Sequence, residues 1–176
     1  MSEDALYELA AQTLELLGDH TVAIAESLTG GLISSALTAV PGASKSFRGS
    51  VVSYATAVKV SVLGVDPQLV ATGGAVQDQV AFQMALGVAR LLGSEFGLAV
   101  TGVAGPTPQD GQAPGTVFLA VVARSADGDV VTSKVESLAI DLSGVAVEAQ
   151  RAYIRTHTIE SGLKLLQSVL RGLGSE

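Results

Sequence analysis

Residues 21–31 read TVAIAESLTGG, and their reading decides the fold. Thr21 to Ala25 is a short, uncharged, mainly apolar run, the pattern of a strand buried on both faces. It leads directly into Glu26-Ser27-Leu28-Thr29-Gly30-Gly31, and Leu32 to Val40 then has helical spacing. A buried strand that turns through paired glycines into a helix is a building block of open α/β sheets. In such sheets ligands gather at the carboxyl ends of the strands.

The alternation continues outward from this stretch. Leu6, Leu9, Leu14 and Leu17 predict a helix over residues 3–18, ended by Gly18-Asp19. Pro41-Gly42-Ala43 breaks the second helix, Ser50 to Ala55 predicts a second strand, and a short helical piece runs through Lys59 to Leu63. A loop with Pro67 and Gly73-Gly74 follows, then an amphipathic helix over Val80 to Leu92 and a third strand at Leu98 to Val100. Residues 102–115 carry four glycines and three prolines, an irregular stretch of a length that is often functional. Thr116–Ala123 and Val130–Leu138 flank Asp127-Gly128 as a hairpin, and a long helix begins near Ser143. Strands alternating with helices, with one late hairpin, predict an α/β fold with a mixed sheet in a single domain over residues 1–176.

Composition limits the function classes. Nearly half of the residues are hydrophobic (48%) but only 4% are aromatic, so the core is built of Ala, Val and Leu. The net charge is −7 and the basic residues are scattered, which excludes a phosphate-neutralising face for nucleic acid. No apolar stretch approaches the roughly 20 residues of a membrane helix, and Met1-Ser2-Glu3-Asp4 is not a secretory signal. The absence of cysteine removes disulfides, thiolate nucleophiles and thiolate metal sites. The expectation is a cytoplasmic protein without membrane contact. A small anionic ligand stays open, because one Arg and a few backbone amides can hold a phosphate.

Three segments carry candidate chemistry. Ser27 and Thr29 stand at a strand-to-helix junction, where the following amides can hold a phosphate or an oxyanion; either residue read alone is equally an N-cap. Lys59 follows the second strand among Val58, Val60, Val62 and Leu63. Burial there would lower its pKa and make it a base for a serine hydroxyl, while a lysine reaching to solvent is the plain alternative. Neither His20 nor His157 lies in such a glycine-rich strand-end segment. Thr101-Gly102-Val103-Ala104-Gly105-Pro106 follows the third strand as a ligand-approach loop or a structural turn. Arg151 and Arg155, four apart on the last helix, form either a phosphate clamp or a solvated face.

In order and spacing these segments resemble the CinA C-terminal domain family of nicotinamide mononucleotide deamidases. The likeness covers almost the whole chain. It runs through Ala25-Glu26-Ser27 with Thr29-Gly30-Gly31, Pro41-Gly42 with Phe47, and Val52-Ser53-Tyr54 with Lys59. It continues through Leu63-Gly64-Val65, Gly74-Ala75-Val76, Thr101 to Pro106, Pro114-Gly115-Thr116-Val117 and the two arginines. The resemblance implies a three-layer α/β/α sandwich around a mixed β-sheet. It implies Ser27 as nucleophile, Lys59 as general base and Tyr54 as a hydrogen-bonding neighbour. Thr29, Gly30, Gly31, Thr101, Gly102, Gly105, Arg151 and Arg155 would bind a pyridine nucleotide, with no metal and no cofactor. Many relatives carry a further N-terminal domain, whose activities are not expected here. The chain departs from the family's pattern at Leu28, Ser50, Ala55-Thr56, Thr107 to Gly111 and Glu148-Ala149-Gln150.

The expected activity is therefore hydrolysis of the carboxamide of nicotinamide mononucleotide to a carboxylate and ammonia, a step of pyridine nucleotide salvage in NAD metabolism. Amides near Gly30-Gly31 or Gly102 are the expected oxyanion donors. An amidase for another small amide, and a nucleotide-binding module without turnover, are the alternatives. The apolar helices lead to the expectation of a homo-oligomer.

Overall fold

The computed structural model describes residues 1–173. In chain order the elements are α1 (Glu3–Leu17), β1 (Val22–Glu26), α2 (Leu32–Thr38), β2 (Phe47–Val52), α3 (Thr56–Leu63), α4 (Pro67–Gly73), α5 (Asp78–Leu91), β3 (Phe96–Gly102), β4 (Thr116–Arg124), β5 (Val130–Ala139) and α6 (Val147–Leu173). Among these residues five strands form one sheet in the order β2-β1-β3-β4-β5. β2, β1 and β3 run parallel, and the hairpin β4–β5 continues the sheet antiparallel to β3. The fold is α/β with a mixed sheet, as the alternation of elements predicts.

Side-chain alternation divides the core in two. Val22 and Ile24 of β1, Leu98 and Val100 of β3, and Leu119 and Val121 of β4 join the apolar faces of α1, α2 and α6 on one side. Ala23, Ala25, Ala99, Ala120 and Val122 join α3 and α5 on the other. The second face is lined by small residues, which lets the helices lie close. Gly97 meets the Ala85 carbonyl of α5 where a Cβ would stand 2.0 Å from its oxygen, and Gly87 of α5 leaves the same room for the Leu63 carbonyl of α3 at 1.9 Å. Because β1, β2 and β3 are parallel, their carboxyl ends lie together at one edge of the layers.

Boundaries differ from the sequence reading at several places. β2 begins at Phe47 and ends at Val52 rather than running from Ser50 to Ala55. It is an edge strand whose ladder with β1 is irregular next to Val22, and Ser53-Tyr54-Ala55 leave it to lead into α3. The expected loop at Pro67 is the helix α4: Asp66 accepts from the Gln68 amide as N-cap, and Pro67 occupies the first turn. α5 begins two residues early, at Asp78. α6 starts at Val147 rather than near Ser143, whose amide and hydroxyl both donate to Asp141 in a local turn.

The α3–α5 approach makes a prediction. Gly87→Ala sets a methyl against the Leu63 carbonyl and should cost about 1–3 kcal/mol in urea unfolding. Gly172→Ala, where a Cβ meets nothing within 4 Å, should stay within about 0.5 kcal/mol of the parent. Equal stability of the two variants would contradict the packing described.

Candidate functional site

Ser27 follows β1 directly, and the chain reverses behind it through Gly30 and Gly31, both at left-handed φ (61° and 98°). The Gly30 amide closes this turn on the Ser27 carbonyl at 3.1 Å. Glu26, alternating with Val22 and Ile24, points to the α2 side and is fully buried. One carboxylate oxygen accepts from the Gly31 and Ile33 amides at 2.9 and 3.2 Å. The other accepts from the Ser34 amide at 2.9 Å and the Ser34 hydroxyl at 2.6 Å. A negative group with four donors at a helix N-terminus is a stable arrangement, and it fixes where Ser27 leaves the strand.

Lys59 lies on α3 and shares its buried face with Leu63, four residues on. It is 1% exposed. Its Nζ stands 3.0 Å from Ser27 Oγ, 2.6 Å from the Ser53 carbonyl and 3.5 Å from the Tyr54 carbonyl. Burial lowers its pKa from 10.5 to about 8, and the charge of Asp110 pulls the other way. A charged ammonium donates to all three oxygens. A neutral amine keeps two N–H groups for the two carbonyls, and its lone pair then faces the Ser27 hydroxyl. The carbonyls that end β2 thus orient the amine as well as bind it.

A cavity of about 310 Å³ opens over this pair, walled by Ala75, Val76, residues 101–105 and residues 107–109. Ser27, Lys59, Tyr54, Thr101, Gly102, Gly105 and Arg151 all line it, so seven of the expected site residues meet there. Thr101 is committed to the fold, its hydroxyl donating to the Ala75 carbonyl at 2.9 Å. Gly102 has no room for a side chain, since a Cβ would stand 2.6 Å from the Thr116 carbonyl oxygen. Arg151 donates to the Gly105 carbonyl at 3.0 Å and to the Tyr54 hydroxyl at 2.9 Å, joining two walls of the cavity.

Other expectations need correction. The Gly30 and Gly31 amides are not available to an oxyanion, because the Ser27 carbonyl and the Glu26 carboxylate hold them. Thr29, Gly30, Gly31 and Arg155 do not line the cavity. Arg155 instead donates to the Thr29 carbonyl at 2.9 Å, one helical turn beyond Arg151. The Tyr54 phenol, on a side chain 60% exposed, reaches Arg151 and not the Ser/Lys pair, which it meets only through its main chain. Three contributors escaped the sequence reading: Glu26, the Ser53 carbonyl and Asp110. A lone acidic residue at the end of an apolar strand was the available signal for Glu26; a backbone carbonyl leaves none.

No helix among the described residues is long and apolar enough to cross a membrane. Among the same residues no three His, Cys, Asp or Glu side chains cluster as metal ligands.

The sequence pattern of the CinA C-terminal domain matches residues 5–170. A CinA-like protein of Frankia casuarinae is 46% identical over 153 residues, 87% of this chain and 32% of that protein. Another from Gloeobacter violaceus is 42% identical over 165 residues, 94% of this chain and 36% of its own length. The chain thus spans about a third of the length of these relatives. The crystal structure of the competence/damage inducible protein CihA from Agrobacterium tumefaciens matches with a TM-score of 0.82 at 32% identity, covering 97% of both chains. A CinA superfamily protein from Klebsiella pneumoniae shares the fold, with a TM-score of 0.80 at 24% identity over 98% of this chain and 99% of its own. With its five-stranded mixed sheet and this match over nearly its full length, the chain belongs to the CinA C-terminal domain family.

Proposed function

We propose that Ser27 and Lys59 form the catalytic pair of an amidohydrolase acting on the carboxamide of nicotinamide mononucleotide. The observation that carries this reading is the buried Lys59 amine, 3.0 Å from the Ser27 hydroxyl and oriented by two carbonyls. The choice of substrate rests on the resemblance to deamidases stated above.

The reaction begins with neutral Lys59 taking the Ser27 proton while Oγ adds to the carboxamide carbon. Leu28 follows the nucleophile and lines the same cavity, and its amide has no acceptor among the described residues. It replaces the Gly30-Gly31 amides as oxyanion donor in this scheme. The carbon–nitrogen bond then breaks as the Lys59 ammonium protonates the departing nitrogen, giving ammonia and an acyl ester on Ser27. Water adds to the ester, its proton passing to Lys59. Collapse returns that proton to Ser27 and releases the carboxylic acid, which ionises to the carboxylate by giving its proton to ammonia or water. The steps as written use protein groups and water alone. Arg151 and the walls at residues 101–109 hold the nucleotide, with the guanidinium on the phosphate.

The proposal gives two predictions. Ammonia release from nicotinamide mononucleotide should fall by about 10²–10⁴-fold in Lys59→Met, a volume-conserving change, and at least as far in Ser27→Ala. Rates equal to the parent in both variants would exclude the pair. Because Lys59 must lose its proton to act, kcat/KM should rise about tenfold per pH unit below its pKa and level off above about pH 8. A profile flat from pH 6 to 9 would contradict this assignment.

A further inference from the structure

Thr107, Pro108 and Gln109 wall the cavity from a long exposed loop. The outer part of that loop folds on itself through paired backbone hydrogen bonds between Gln109 and Gln112 (3.1 and 2.8 Å). Among the described residues, one side chain of this outer part, Asp110, makes a hydrogen bond to another part of the fold: its Oδ2 accepts from the Ala75 amide at 2.8 Å. The local geometry accommodates that contact. Asp110 sits at φ 51°, the left-handed region that favours glycine. Gly74 lacks the Cβ that would stand 2.4 Å from the Asp110 Cβ. The Ala75 peptide is held at its other end too, because its carbonyl accepts from Thr101 at 2.9 Å. Ala75 itself lines the cavity.

We infer that Asp110 is a positioning residue for the Ser27–Lys59 site, pinning the outer cavity wall to the Ala75 peptide. The effect on rate rests on the amidase reading; the pinning does not. Two substitutions test the pinning. In Asp110→Asn the amide oxygen still accepts from Ala75, whereas Asp110→Ala removes the acceptor. The Asn variant is checked by mass, because an Asn–Gly pair reverts to Asp by deamidation.

The test measures ammonia release from nicotinamide mononucleotide between pH 6 and 9.5, and amide hydrogen exchange at Ala75. Asp110→Asn should keep KM within about twofold and Ala75 protected, while Asp110→Ala raises KM about fivefold or more and speeds Ala75 exchange at least tenfold. Unchanged Ala75 exchange in Asp110→Ala would overturn the pinning. If the parent releases no ammonia, it is the amidase reading that fails, and the exchange data still decide the pinning.

Discussion

A primary amine taken out of water next to a hydroxyl is the constraint on which the site depends. Lowering the Lys59 pKa from 10.5 to about 8 corresponds to on the order of 3 kcal/mol of unfavourable desolvation of the charged form. That cost is present in full below about pH 8, where folded and unfolded chains both hold the proton. It is relieved as pH rises towards 10.5, where the unfolded chain binds the extra proton, so stability increases through that window. The rest of the fold supplies the burial that offsets it. α3 is seated on Gly87 of α5, and the face beneath is small enough for that approach.

The neighbouring strand ends have separate tasks. β1 delivers Ser27 and fixes its exit through Glu26, whose carboxylate anchors α2 on the opposite face of the sheet. β2 stops at Val52, leaving the Ser53 and Tyr54 carbonyls unpaired in the ladder and free to accept from Lys59. β3 delivers Thr101 and Gly102, which hold the Ala75 peptide and the start of β4 close to the cavity. The nucleophile and the base thus belong to different elements, and the packing between layers sets the distance between them.

How much of this was legible in the sequence follows from the physics of each part. The alternation of buried strands and amphipathic helices needs only hydrophobic periodicity, so the layers and the late hairpin could be read directly. β2 was misplaced because an edge strand alternates exposed and buried residues, and Phe47-Arg48-Gly49 carries little apolar signal. α4 was missed although Asp66-Pro67 is a helix-start signature, because the glycine pair behind it reads as a loop. Ser27 and Lys59 were legible through residue type and spacing. The Gly30-Gly31 amides were misread as free donors because their acceptor, Glu26, lies earlier in the chain and reaches them only in the folded turn. Asp110 is 35 residues from the amide it holds, and no local pattern announces such a contact.

The central claim concerns the protonation of one side chain, and the chain has four lysines: Lys45, Lys59, Lys134 and Lys164. Selective ¹³Cε labelling of lysine followed by an NMR titration from pH 6 to 11 reads all four, with Lys59→Met assigning the signal of interest. One resonance should titrate near pH 8 and vanish in the variant. A Lys59 resonance that titrates near the ordinary lysine value of about 10.4 would contradict the account.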